Sequence, residues 1–60
     1  MNNYKVTFEV FHDNNRKELV TVNVEAGTKK LASLRAMQQL GKDKPEYREL
    51  FKAVKSVEVA

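Results

Sequence analysis

Sixty residues without a cysteine limit this chain to one small core, with no disulfide and no thiolate metal site to staple it. Charged residues make up 32% and hydrophobic residues 42%, a balance that suits a folded chain better than a disordered one. No apolar run approaches transmembrane length and "MNNYKVTFEV" is not a signal peptide, so a cytoplasmic location is expected.

The first segment, "YKVTFEVF", alternates Tyr4, Val6, Phe8 and Val10 against Lys5, Thr7 and Glu9. "LVTVNVEA" repeats the pattern with Val20, Val22, Val24 and Ala26. Period-two alternation of β-branched and aromatic residues predicts two half-buried strands, and the polar "HDNNRK" between them makes a hairpin over 3–26. A two-residue Asn14-Asn15 turn would set Val10 opposite Leu19, a core residue against a solvent-face residue, so an odd-length loop is expected. Two loops satisfy this. One is a type I turn over Asp13-Asn14 with Asn15 left-handed. The other is a longer loop centred on Asn15 that pairs Phe11 with Leu19 and Lys5 with Glu25.

A first helix is predicted over 28–41, with Thr28 as N-cap and Gly41 as its stop. Its apolar residues (Leu31, Leu34, Ala36, Met37 and Leu40) cover an arc of roughly 220°, broad enough to touch both a sheet and a second helix. That second helix is predicted over 44–54. Asp43 and Glu46 have capping-box spacing, Pro45 fits a first turn, and Tyr47, Leu50, Phe51 and Val54 follow i, i+3, i+4, i+7. The tail, "SVEVA", reads as a third strand over 56–60 that pairs with strand 1 and makes it central. The expected fold is α+β in the order ββααβ, one domain over 1–60. Its three-stranded, mainly antiparallel sheet carries helices on one face and leaves the other wet.

Little in the chain supports enzymatic chemistry. His12 is the only histidine, so a His/Cys metal cluster and a Cys–His pair are excluded. His12-Asp13 falls in an exposed turn, and Ser33 and Ser56 lack a nucleophile-elbow setting. No P-loop or GxGxxG is present. No enzymatic activity, metal, cofactor or small-molecule substrate is expected.

The net charge of +3 is unevenly placed. Residues 1–28 carry a net −1 and residues 45–60 are neutral, so Lys29, Lys30, Arg35, Lys42 and Lys44, against Asp43, hold the whole surplus. Lys29 and Lys30 lie beside the free N–H groups of a helix start, where anions bind. Locally, "KKLASLRA" resembles the start of the last helix in double-stranded RNA-binding domains, where a lysine pair meets the phosphate backbone. The likeness covers eight residues, and the chain lacks that family's first helix, so it assigns no family. Lysines on a helix are more often a solvated face than a binding site.

Phe11 and Leu19 interrupt the polar set of Lys5, Thr7, Glu9, Thr21, Asn23 and Glu25 on the wet face, both at the hairpin end. Two neighbouring exposed hydrophobes in so small a chain point to a protein contact. An edge position for strand 2 would add a second route, by strand addition. The Tyr47/Leu50/Phe51/Val54 stripe is assigned to the core. The leading expectation is a non-enzymatic protein-interaction module (an adaptor, inhibitor or regulator) whose partner is another protein or a second copy. Free-standing chains of this kind are similar in type to the short accessory proteins of phages and mobile elements. The alternative is a nucleic-acid-binding module using the basic segment, and the third reading is a structural subunit of an assembly.

Overall fold

The computed structural model describes residues 1–60 as an antiparallel three-stranded sheet with one helix on one face. The strands are β1 (Asn2–Phe11), β2 (Lys17–Ala26) and β3 (Phe51–Val59), ordered β2-β1-β3, and the helix α1 spans Lys29–Asp43. The α+β fold with β1 central is as the alternation predicts. Tyr4, Val6, Phe8 and Val10 on β1 are buried with Ala26 and the Ala32, Ala36 and Leu40 stripe of α1. Two alanines on that stripe let the helix lie close to the strands.

The hairpin takes the shorter of the two loops. Val10 pairs with Glu18 and Val6 with Val22, and Asn15 has φ 59°. Asn tolerates this left-handed geometry because its short polar side chain bonds locally. Phe11 therefore pairs with Lys17, and Leu19 with Glu9, so Phe11 and Leu19 are not direct cross-strand partners.

Helix α1 begins where expected. The Thr28 hydroxyl accepts the Leu31 N–H at 3.2 Å, satisfying a donor that the helix itself leaves free. It does not stop at Gly41. The helix runs to Asp43, and Lys44 leaves helical geometry at φ −133°, ψ 78°. The stop belongs to Pro45, whose ring disfavours helical backbone in the residue before it. Gly41 remains inside the helix, its carbonyl accepting the Arg48 Nε–H at 2.9 Å.

The predicted second helix over 44–54 is absent. Pro45–Tyr47 form one 3₁₀ turn, and β3 begins at Phe51, five residues before the 56–60 segment assigned to it. An i, i+3, i+4 run this short also fits a strand, and the open edge of β1 decides between them. Pairing from Phe11↔Phe51 to Tyr4↔Val59 gives β1 partners along its second side, which a helix through Val54 would leave unmade. Lys52 points to the helix side and donates to the Tyr47 and Leu50 carbonyls at 2.6 and 3.0 Å, closing the turn that precedes its own strand.

Without a second helix, two of the five residues in the broad α1 arc have no cover, and Leu31 and Leu34 are exposed. Tyr47 and Leu50 still pack against the core, but Phe51 and Val54 do not belong to it.

Candidate protein-interaction surface

The open face of the sheet is built from odd-numbered residues of β1 and β2. Cross-strand pairing arranges them in rows. Lys17, Phe11 and Phe51 form the row nearest the hairpin turn, and Leu19, Glu9 and Ala53 the next. Thr21, Thr7 and Ser56 form the middle row, followed by Asn23, Lys5 and Glu58. Four apolar side chains thus gather at the hairpin end. Phe51 is 71% exposed, Leu19 55% and Phe11 38%. The Phe11 and Phe51 rings lie 5.5 Å apart at 45°, a tilted aromatic pair. In their midst Lys17 Nζ meets the Glu9 carboxylate at 3.0 Å, so the one acid inside the apolar group is paired.

Phe51 is the residue that sequence reasoning missed. Lys55 has no partner on β1, because Thr7 pairs with Ser56 and Phe8 with Val54. This β-bulge inverts the parity of the strand. Unbroken alternation would put Phe51 and Ala53 on the same face as Val57 and Val59; the bulge sends the first two to the open face and leaves the valines on the helix side.

The two sheet edges are less inviting. On β2, Arg35 of α1 donates to the Glu25 carbonyl at 2.8 Å, which removes one acceptor from strand addition. On β3 the bulge interrupts the edge beside Lys52 and Lys55. Bulges and edge lysines both discourage pairing with another chain.

The five cations of the basic segment do not converge. Lys29 and Lys30 are exposed in the first turn of α1, whereas Lys42 and Lys44 lie at its far end, about 20 Å away at the rise of a helix. Arg35 is held by the Glu25 carbonyl on the flank over β2, and Lys44 Nζ sits 5.6 Å from the Tyr47 ring centroid.

His12 pairs not with Asp13 but with Glu18, its Nε2 lying 2.8 Å from Oε1. The Tyr47 hydroxyl donates to the same oxygen at 2.7 Å, and the His12 and Tyr47 rings meet edge to face at 5.5 Å. The Tyr47 hydrogen bond, then that of His12, holds the Glu18 carboxyl below the usual carboxylate range. The same bond to Glu18 raises the Tyr47 phenol. This cluster ties the hairpin end to the 3₁₀ turn and closes the open end of the core. No group of three or more His, Cys, Asp or Glu side chains that could hold a metal ion comes together in the fold. No helix is long and apolar enough to cross a membrane.

No protein-family model, curated protein or solved structure matches the chain.

Proposed function

We propose that this chain is a non-enzymatic protein-interaction module that binds through the hairpin end of its open sheet face. The observation that carries this reading is Phe51, which stands 71% exposed against Phe11 on a face that no element covers. An aromatic pair flanked by Leu19 and Ala53 has the make-up of a contact patch, since aromatic residues are enriched at interfaces and unpaired charges are depleted there. Glu9 fits that environment because Lys17 neutralises it. The guarded edges favour docking on the face over strand addition.

The reading is tested by placing a photoactivatable aromatic amino acid at position 51 or 19, and at Gln38 on the exposed side of α1 as control, in the cell that makes the protein. Cross-links to protein are expected from 51 and 19 and are lost when Phe11→Asp is added. Equal cross-linking from position 38, or capture of nucleic acid alone, would refute the reading. A cytoplasmic site of action accompanies the proposal, since a cysteine-free core needs no oxidising compartment.

A further inference from the structure

We propose that the occupant of the open face is a second copy of this chain, stacked face to face and antiparallel about a two-fold axis through the Thr7/Thr21 row. This rests on the module reading above and names its partner.

The charge pattern of the face carries the inference. On β1, Lys5 and Glu9 lie two residues either side of Thr7; on β2, Lys17 and Glu25 lie four residues either side of Thr21. Thr7 and Thr21 are themselves cross-strand partners, their hydroxyls 3.5 Å apart. Along β1 and β2 the charges are therefore antisymmetric about this row; β3 adds Glu58, which lies beside Lys5 on its own sheet and falls over the uncharged Ala53 of the copy. A two-fold axis lying in the interface along the row carries Lys5 onto Glu9 of the copy and Lys17 onto Glu25. The other in-plane axis, parallel to the strands, sets Lys5 on Lys5 and Glu9 on Glu9, and like charges in juxtaposition are costly. Of the two, only the first sets opposite charges together along β1 and β2.

The central row tolerates its own image. A hydroxyl both donates and accepts, so Thr7, Thr21 and Ser56 can meet their counterparts without orphaned hydrogen-bonding groups. Stacked sheets lie about 10 Å apart with strands about 30° from alignment, which keeps Lys5 and Glu9, one row from the axis, within reach of their counterparts. At the two ends Phe11 and Phe51 cover the Asn3 and Ala60 end of the copy.

Area supports the same extent of contact. The sheet face is about 34 Å by about 14 Å at ordinary strand spacings, on a molecule whose longest extents are 38 and 19 Å. That footprint, about 480 Å² before side-chain relief is added, is more than half of the roughly 800 Å² per partner of a standard interface. The two apolar rows alone supply less than half of it. Stacking this way also turns both α1 helices outward, which separates the basic segments of the two copies. A chain with only 8 of 60 residues buried gains most from such a partner.

Sedimentation of the full chain from micromolar to millimolar concentration tests the proposal. Wild type is expected to dimerise. Lys5→Glu and Glu9→Lys are each expected to weaken self-association about tenfold or more. An equimolar mixture of the two is expected to dimerise again, because each variant then meets the opposite charge at both positions. Thr21→Lys, which sets two like charges near the axis, is an independent second disruption should either variant fail to fold. A wild type that stays monomeric to millimolar concentration overturns the proposal. So does a dimer indifferent to these substitutions, or a mixture that stays monomeric. A monomeric wild type that still cross-links another protein from position 51 overturns the second-copy inference alone and leaves the module reading intact.

Discussion

Phe8 and Phe51 carry the same side chain on neighbouring strands, and truncating each to alanine separates the observed strand β3 from the helix that periodicity alone predicts. Phe8 is fully buried, whereas Phe51 is 71% exposed. An enclosed phenylalanine covers about 150–250 Å². With less than a third of it covered, Phe51 hides about 60 Å², worth about 1.5 kcal/mol at about 25 cal/mol per Å². Alanine keeps part of that, so Phe51→Ala should cost about 1 kcal/mol, most of it from the Phe11 pair. Phe8→Ala leaves a cavity in the middle of the core and should cost about 3–5 kcal/mol. At roughly 0.05–0.15 kcal/mol per residue the whole chain is stable by only about 3–9 kcal/mol, so this variant approaches or crosses its unfolding limit. Urea titration followed by far-UV circular dichroism measures both, at a concentration low enough to keep the chain monomeric. In a helix over 44–54, Phe51 would be a core residue and its loss would rival that of Phe8. A Phe51→Ala cost above about 3 kcal/mol would refute the strand assignment and the exposed aromatic pair with it.

Thr28→Ala should cost about 1 kcal/mol in the same titration, because the Leu31 N–H loses the hydroxyl that caps it. Asn15→Gly should be nearly neutral, whereas Asn15→Val, forced to φ 59°, should cost about 1–2 kcal/mol and weaken the hairpin amides in hydrogen exchange. Tyr47→Phe should return the Glu18 titration toward the usual carboxylate range, read from its carboxyl carbon shift against pH. The sign follows from linkage. Glu18, lowered in the fold, adds stability above the unfolded carboxylate range and loses it as pH falls through the folded value. Tyr47, raised in the fold, adds stability below the ordinary phenol range and loses it as pH climbs through its folded value. Tyr47→Phe should therefore flatten the stability profile at both acid and alkaline ends, and an unchanged profile would show that the bond to Glu18 does not form.

The hairpin was legible because its two strands alternate without interruption over a long stretch, and one buried face admits only one parity of loop. Only the loop length stayed open, and Asn15, able to accept positive φ, closes it at the shorter choice. The start of α1 was legible from Thr28, whose side chain does the capping locally. Its end was not, since a glycine late in a helix reads as a stop, while here the restriction comes from Pro45 acting on Lys44. The region 44–54 misled for a tertiary reason. Tyr47, Leu50, Phe51 and Val54 satisfy helical spacing among themselves, and only the unpaired side of β1 requires a strand there. Of the candidate site, Phe11 and Leu19 could be placed on the open face from alternation. Phe51 could not, because the unpaired Lys55 reverses which face it occupies, and a bulge leaves no mark in a pattern of apolar residues.

That bulge links the two ways in which this sheet could be approached. The Ala60 N–H donates to the Asn3 carbonyl at 2.8 Å, so odd-numbered residues of β1 direct their backbone groups toward β3. The residues of β3 opposite even-numbered partners, Lys52, Val54, Val57 and Val59, accordingly turn theirs outward. Their side chains include three valines, the composition of an edge that recruits another strand. Lys55 breaks the run between Val54 and Val57. Deleting Lys55 leaves every cross-strand pair in place, since Val54 stays opposite Phe8 and Ser56 opposite Thr7, yet it restores regular spacing of the outward groups. The deletion variant should keep its helix and its open face while gaining edge-to-edge association, seen as larger species in sedimentation that Lys5→Glu and Glu9→Lys do not dissociate. If instead it associates no more than wild type, the bulge does not guard the edge, and the preference for the face over the edge loses one of its two supports.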